Sequence, residues 1–216
     1  MTRTPLTRDR IVEAAMGLAD EVGLEVLSMR KLGDRLGVEA MSLYNHVQNK
    51  DDLLDGMNDA FSASIEIPAP GDEWRAAMRR RANSAREQFR LHPWALSLVD
   101  TRANAGYPTI RYHNAIIGVL REAGFSIEMT AHAFALLDAF IFGFAIQERN
   151  LPVVDSDEVA ELASQMMATL PMDELPHFVE FVTEHAMQDG YDFGAEFSWG
   201  LEALLDSLER AAFDPA

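Results

Sequence analysis

Apolar residues recur every three or four positions along nearly the whole chain, and no segment alternates apolar with polar for long enough to read as a strand. That periodicity predicts an all-α protein. Ile11, Val12, Ala15, Leu18, Ala19 and Val22 share one face of a helix that Thr7 can cap and Gly23 can stop. Ser28 caps a second helix. Asn49 caps a fourth, whose first turn carries Asp51 and Asp52 near the positive end of the helix dipole and which runs on through Leu53, Leu54, Met57 and Phe61. Ile67-Pro-Ala-Pro-Gly71 then breaks the pattern. Beyond it the expected helices are 72–91, a short one near 94–101, 108–123, 127–150, 157–168, 174–188 and 192–211. Pro93, Gly106 with Pro108, Gly124, Pro152, Pro171 and Gly190 punctuate them. The expected organisation is a head over 1–50, a connecting helix over 50–66 and a body over 67–216.

Residues 28–50 read as two short helices around a tight glycine turn, followed by the start of another helix. Leu32 and Leu36 lie one turn apart, Gly37 supplies the backbone freedom for a sharp corner, and Val38 and Leu43 close it from the other side. Gly33 is small where the next helix must cross. With those residues packed inward, Ala40, Met41, Ser42, Tyr44, Asn45 and His46 remain outside, free to meet a major groove. This is a helix-turn-helix, and it makes double-stranded DNA the leading partner.

Two body helices are apolar in an unusual way. Phe134 to Ile146 is apolar around most of its circumference and so must be covered on both sides, by its own core and by a second subunit. Along 192–211, Phe193, Phe197, Leu201, Leu204 and Leu208 form a stripe suited to helix packing, and Gly143 and Gly200 would let neighbouring helices approach closely. An ordinary intramolecular core is the competing reading. The most apolar run, Ala133–Ile146, is shorter than the roughly 20 residues of a membrane span and contains Asp138. It reads as a buried helix of a soluble protein.

The chain has 216 residues, 48% of them hydrophobic, and no cysteine, which excludes disulfides and thiolate metal sites and fits a cytoplasmic protein. Its first residues lack the apolar core of a signal peptide. A formal net charge of -17 argues at first against nucleic acid. Residues 1–50, however, hold seven basic and seven acidic side chains, so the excess negative charge lies in the body. A neutral head on an acidic body predicts modest non-specific DNA binding. Arg79-Arg80-Arg81 lies on a charge-rich body helix and reads as an ion-paired or solvated face. Histidines and carboxylates are plentiful, yet there is no nucleophile elbow, phosphate-binding glycine loop, His-Glu-x-x-His or convincing metal-ligand spacing. An enzyme is thereby disfavoured, and no catalytic residue, cofactor or metal is assigned.

Thr7 to Leu54 resembles the N-terminal domain of the TetR family of transcriptional regulators, most clearly in Leu-Gly-Val-Glu-Ala-Met-Ser-Leu-Tyr-Asn-His-Val-Gln-Asn-Lys-Asp-Asp-Leu-Leu at 36–54. Gly-Asp-Glu-Trp at 71–74 and Phe-Ser-Trp-Gly-Leu-Glu at 197–202 are similar to the tetracycline-repressor branch. The resemblance implies an N-terminal three-helix helix-turn-helix domain followed by a helical ligand-binding and dimerisation domain. It implies DNA contacts at Ser28, Arg30, Ala40, Met41, Ser42, Tyr44, Asn45, His46 and Lys50. Arg30 suits a guanine edge or a phosphate, both serines and Tyr44 suit phosphate or base, His46 and Lys50 suit phosphate, Asn45 suits adenine, and Ala40 and Met41 offer only apolar contact.

For the body it implies a four-helix dimer bundle, here through Phe140, Gly143, Phe144, Phe197, Gly200, Leu201, Leu204 and Leu208, and an effector pocket, for which Phe89, Trp94, Tyr112, His113, Ile116, His132, Leu136 and Gln147 are the candidates. The implied function is a homodimeric repressor on a palindromic operator, released by an unidentified small molecule. A DNA-binding dimer with no effector is the alternative. Tetracycline with magnesium is not expected, because 63–68 and 98–102 lack the histidines that branch uses to hold them.

Overall fold

The structure is a computed structural model that describes residues 5–99, 106–151 and 156–213. Among these, every regular element is helical: α1 Arg8–Val22, α2 Met29–Leu36, α3 Ala40–Leu43, α4 Lys50–Ser64, α5 Trp74–Leu91, α6 Ala95–Val99, α7 Tyr107–Glu122, α8 Ile127–Asn150, α9 Ser156–Thr169, α10 Pro176–Phe181 and α11 Phe193–Phe213. Each expected cap is formed. Thr7 Oγ1 accepts from the Arg10 amide, Ser28 Oγ from Lys31 and Asn49 Oδ1 from Asp52, satisfying amides that have no partner within their helix. Residues 100 and 101, at the end of the helix expected near 94–101, lie outside the described residues, as does Pro152.

The helix expected over 174–188 is broken into a 3-10 turn at Met172–Glu174, α10, and a π-helical turn at Val182–Ala186. Pro176 starts α10 afresh, and the Thr183 hydroxyl donates back to the Val179 carbonyl, 2.8 Å away, inside the turn that widens. Ala163, Val182 and Ala186 are buried there but stand apart from the main core, which is continuous from Ile11 to Leu208. α4 packs against both α1 and α7, α5 lies on α8, and α8 on α11.

The apolar body helices are covered on one side only. α8 buries Thr130, Ala133, Leu137, Ile141, Phe144 and Ala145, while His132, Ala135, Leu136, Ala139, Ile146 and Gln147 face outward. At 24 residues it exceeds the 133–146 run and is long and apolar enough to cross a membrane by length and composition, but Asp138 is tied to Arg81 of α5. Four residues expected at a subunit interface belong to the protomer's own core: Phe144, Phe197, Leu201 and Leu208. Phe140 also turns inward, stacking on Phe197 at 5.2 Å and lying over Gly200, where a Cβ would meet its ring at 2.9 Å. Helical spacing identifies a stripe; it does not say whether the stripe faces its own chain or another. Gly143 and Leu204 are half-buried, and the outward side of α11 carries Trp199, 74% exposed.

Candidate functional site

The head is built around one close crossing. Gly37 adopts the left-handed conformation (φ 67°, ψ 36°), and the Val38 amide donates to the Gly33 carbonyl at 2.9 Å while the Gly37 amide donates to Asp34 at 3.2 Å. At Gly33 an added Cβ would lie 2.8 Å from the Val38 carbonyl oxygen, so only glycine fits. Leu32, Leu43 and Val47 are buried beneath the turn. α3 is a single turn, and the chain from Tyr44 to His46 continues its outer surface without regular helix.

Met41 is 72% exposed and Tyr44 43%; Arg30, Asn45 and His46 are also exposed, Ala40 and Ser42 half-buried. The outer face expected to meet DNA is thus solvent-facing. It offers two hydroxyls, an amide, an imidazole and a guanidinium beside two apolar contacts. Ser28 and Lys50 already have structural work. Ser28 Oγ caps α2 but keeps its own proton to donate, and the Lys50 ammonium donates to the Leu27 carbonyl at 2.8 Å with two further protons left. Arg8 braces the face from behind through a two-pronged bond to Asp52 at 2.6 and 2.9 Å, and it holds that carboxyl below the usual range. Arg8 is therefore committed to the scaffold.

In the body, a cavity of about 120 Å³ opens between α4, α5, α7 and α8. Phe61, Ile65, Phe89, Val99, Ile141 and Phe142 supply apolar walls. The polar lining is centred on Arg81, only 3% exposed, whose Nε donates to the Tyr112 hydroxyl at 2.6 Å and whose Nη2 donates to the Asp138 carboxylate. Its Nη1 is buried with no partner, and so is Oδ1 of Asn58 on another wall of the same cavity. An unpaired buried donor or acceptor costs on the order of 1–3 kcal/mol. Burial pushes the Tyr112 hydroxyl up and the His113 imidazole down, so both are uncharged at neutral pH.

Of the eight residues expected at the pocket, Phe89, Tyr112 and His113 line this cavity. Trp94 lies one shell away against Phe61, and Ile116 is fully buried core. His132, Leu136 and Gln147 belong elsewhere, on the outward side of α8, because one helix cannot turn all its apolar sectors to the same cavity. Arg81, Asn58 and Asp138 were missed, although a signal exists for each. Arg81 interrupts the α5 stripe of Trp74, Met78, Ala85 and Phe89, Asn58 sits in the α4 stripe of Leu54, Met57 and Phe61, and Asp138 interrupts the apolar run of α8. The rest of the arginine run behaves as expected: Arg79 pairs with Glu202, and Arg80 with Glu66 and Asp72.

A larger, more open recess of about 750 Å³ lies between α5, α8 and the start of α11; of the charged residues that line it, Arg86 and Glu148 satisfy each other at 2.6 Å. The smaller cavity is also linked to the head through a chain of ring contacts. The Phe61 and Phe89 rings meet at a tilt with centroids 4.8 Å apart, Phe61 touches His92 and Trp94, and both of these bond Asp20 of α1, at 2.8 and 2.6 Å.

Residues 67–212 match the family model described as the tetracyclin repressor-like C-terminal domain, and residues 11–57 that of bacterial regulatory proteins of the tetR family. An HTH-type transcriptional regulator of Saccharopolyspora erythraea is 38% identical over 212 residues, covering 98% of this chain and 88% of the relative. An HTH-type transcriptional repressor of Streptomyces coeruleorubidus is 32% identical over 213 residues, covering 94% and 77%. Among solved structures, the TetR family protein ActR of Streptomyces coelicolor, in complex with actinorhodin, superposes with a TM-score of 0.81 at 28% identity, over 99% of this chain and all of that one.

Proposed function

Since the chain belongs to the TetR family of helix-turn-helix transcriptional repressors, and is a regulator and not an enzyme, we propose that it grips a two-fold-symmetric operator as a homodimer and releases it when a small molecule fills the cavity around Arg81. The observation that carries this reading is the solvent-facing set Arg30, Met41, Tyr44, Asn45 and His46 on a rigidly braced head, with an incompletely satisfied polar cavity in the body. The head over 1–50, the connecting α4 and the body over 67–216 are its working parts. Such a protein acts on DNA in the cytoplasm.

Dimerisation is assigned to the outward sides of α8 and α11, through Leu136, Ala139, Gly143 and Ile146 on the first and Trp199, Ala203 and Leu204 on the second. Leu136, Ala139, Ile146, Trp199 and Ala203 are exposed and Gly143 and Leu204 half-buried, on two helices that pack on each other. A two-fold axis between them sets two heads on successive major-groove turns, with half-sites about 10 base pairs apart or somewhat more. A ligand can release DNA only by binding the non-competent arrangement better. The path from Phe61 and Phe89 through Trp94 and His92 to Asp20 gives the cavity a mechanical connection to α1. Relatives differ in what they carry: ActR has been solved with actinorhodin, and others are named for tetracycline.

Selection of bound sequences from a random DNA pool, followed by anisotropy titration of the winner at several salt concentrations, tests this function. A palindromic winner with a steep salt slope is expected. No enrichment, with or without cell extract added, refutes it.

A further inference from the structure

We propose that the cavity takes an uncharged ligand of about one ring, bearing a hydrogen-bond acceptor for Arg81 Nη1 and a donor for Asn58 Oδ1; this rests on the effector reading above. The two orphan atoms define the polarity. Arg81 donates through Nε and Nη2 and leaves both N–H groups of Nη1 without a partner, and the Asn58 carbonyl oxygen, on another wall of the same cavity, is likewise buried and unpaired. A ligand that satisfies both brings an acceptor and a donor, as a primary amide does.

Charge defines the class further. Arg81 is already neutralised by Asp138, and burial keeps His113 and Tyr112 uncharged, so the site has no net charge to offer a ligand. A carboxylate would enter as a second anion beside Asp138 and share one guanidinium with it. A cation would meet the unpaired Nη1 of Arg81. Either pays desolvation without a counter-charge of its own.

Volume sets the size. At about 120 Å³ the cavity is near the size of an apolar cavity of roughly 150 Å³ that accepts benzene. Phe61, Phe89 and Phe142 surround that space with aromatic walls.

The test uses full-length protein and four probes of one ring size: benzamide, benzoate, benzylammonium and toluene, titrated calorimetrically. Benzamide is expected to bind one per protomer, at least about tenfold more tightly than the other three. Asn58→Leu should weaken benzamide about tenfold and leave toluene unchanged, since one buried hydrogen bond is worth about that much. Replacing the whole pair, Arg81→Met with Asp138→Leu, keeps a buried charge from being stranded and should abolish the preference for benzamide over toluene. Benzoate or benzylammonium binding as tightly as benzamide overturns the inference, as does a benzamide-soaked crystal showing only water on the two orphan atoms. Titrating benzamide into the protein–operator complex separates the two readings. Binding without release refutes the effector role and leaves the ligand class standing. Release by another probe, with no benzamide binding, does the reverse.

Discussion

Gly33→Ala should damage the reading head in a way that stability alone does not explain. The new methyl would sit 2.8 Å from the Val38 carbonyl oxygen, 3.1 Å from the Ala40 amide nitrogen and 3.3 Å from the Ala40 Cα. All three are backbone atoms, so no side chain can rotate away and α2 and α3 must part by several tenths of an ångström. Overpacking of this kind costs about 1–3 kcal/mol, and the better helix propensity of alanine returns about 0.5–1 kcal/mol. A net loss of about 1–2 kcal/mol lowers the melting temperature by roughly 2–8 °C in a chain of this size. The displacement moves Tyr44, Asn45 and His46 together, so operator affinity should fall by more than about tenfold. Gly37→Ala is the control. Nothing lies within 4 Å of its Cβ, but its φ of 67° costs an L-residue about 1–2 kcal/mol. It should lose comparable stability while its operator affinity changes far less. Thermal unfolding by circular dichroism and anisotropy on the selected operator read the two effects. Wild-type melting and affinity in Gly33→Ala would refute the argument that this crossing sets the recognition surface.

Tyr44→Ala removes a 43%-exposed ring and hydroxyl from the outer face; operator affinity should drop about tenfold with dimerisation intact, and an unchanged anisotropy curve would remove Tyr44 from the contact set. Trp199→Asp should yield monomers by light scattering, because it puts a charge on the face assigned to the partner; a stable dimer moves the interface elsewhere. Arg79 and Arg75 hold the Glu202 carboxyl down to about 2, below its ordinary 4.5, so its contribution to stability is complete above pH 4.5 and is lost as pH falls through about 2. Glu202→Gln should therefore melt lower than wild type at pH 6, the gap closing by pH 2; parallel curves across that window would contradict the assignment. Asp20→Ala releases both His92 and Trp94 from α1, and should leave ligand binding in place while blunting release of the operator; unaltered release would show that the signal travels another way.

Local chemistry is what the sequence by itself determined. The caps at Thr7, Ser28 and Asn49, the left-handed Gly37 and the small Gly33 act within three to seven residues of themselves, a range over which backbone hydrogen bonds and sterics leave few choices. The head was therefore legible almost residue by residue, together with the helical class of the body. Tertiary structure alone decided which side of an apolar helix faces its own chain. Phe197, Leu201 and Leu208 went inward and Trp199 outward, while His132, Leu136 and Gln147 turned away from the cavity that Phe89, Tyr112 and His113 line. Hydrophobic burial is non-directional, so periodicity reports that a stripe is covered but not by what. The pairing of Arg81 with Asp138 spans 57 residues of chain, and the shared cavity of Arg81 and Asn58 exists only because α4, α5, α7 and α8 converge there; each polar residue stood out in its own apolar stripe, but only packing brought them face to face.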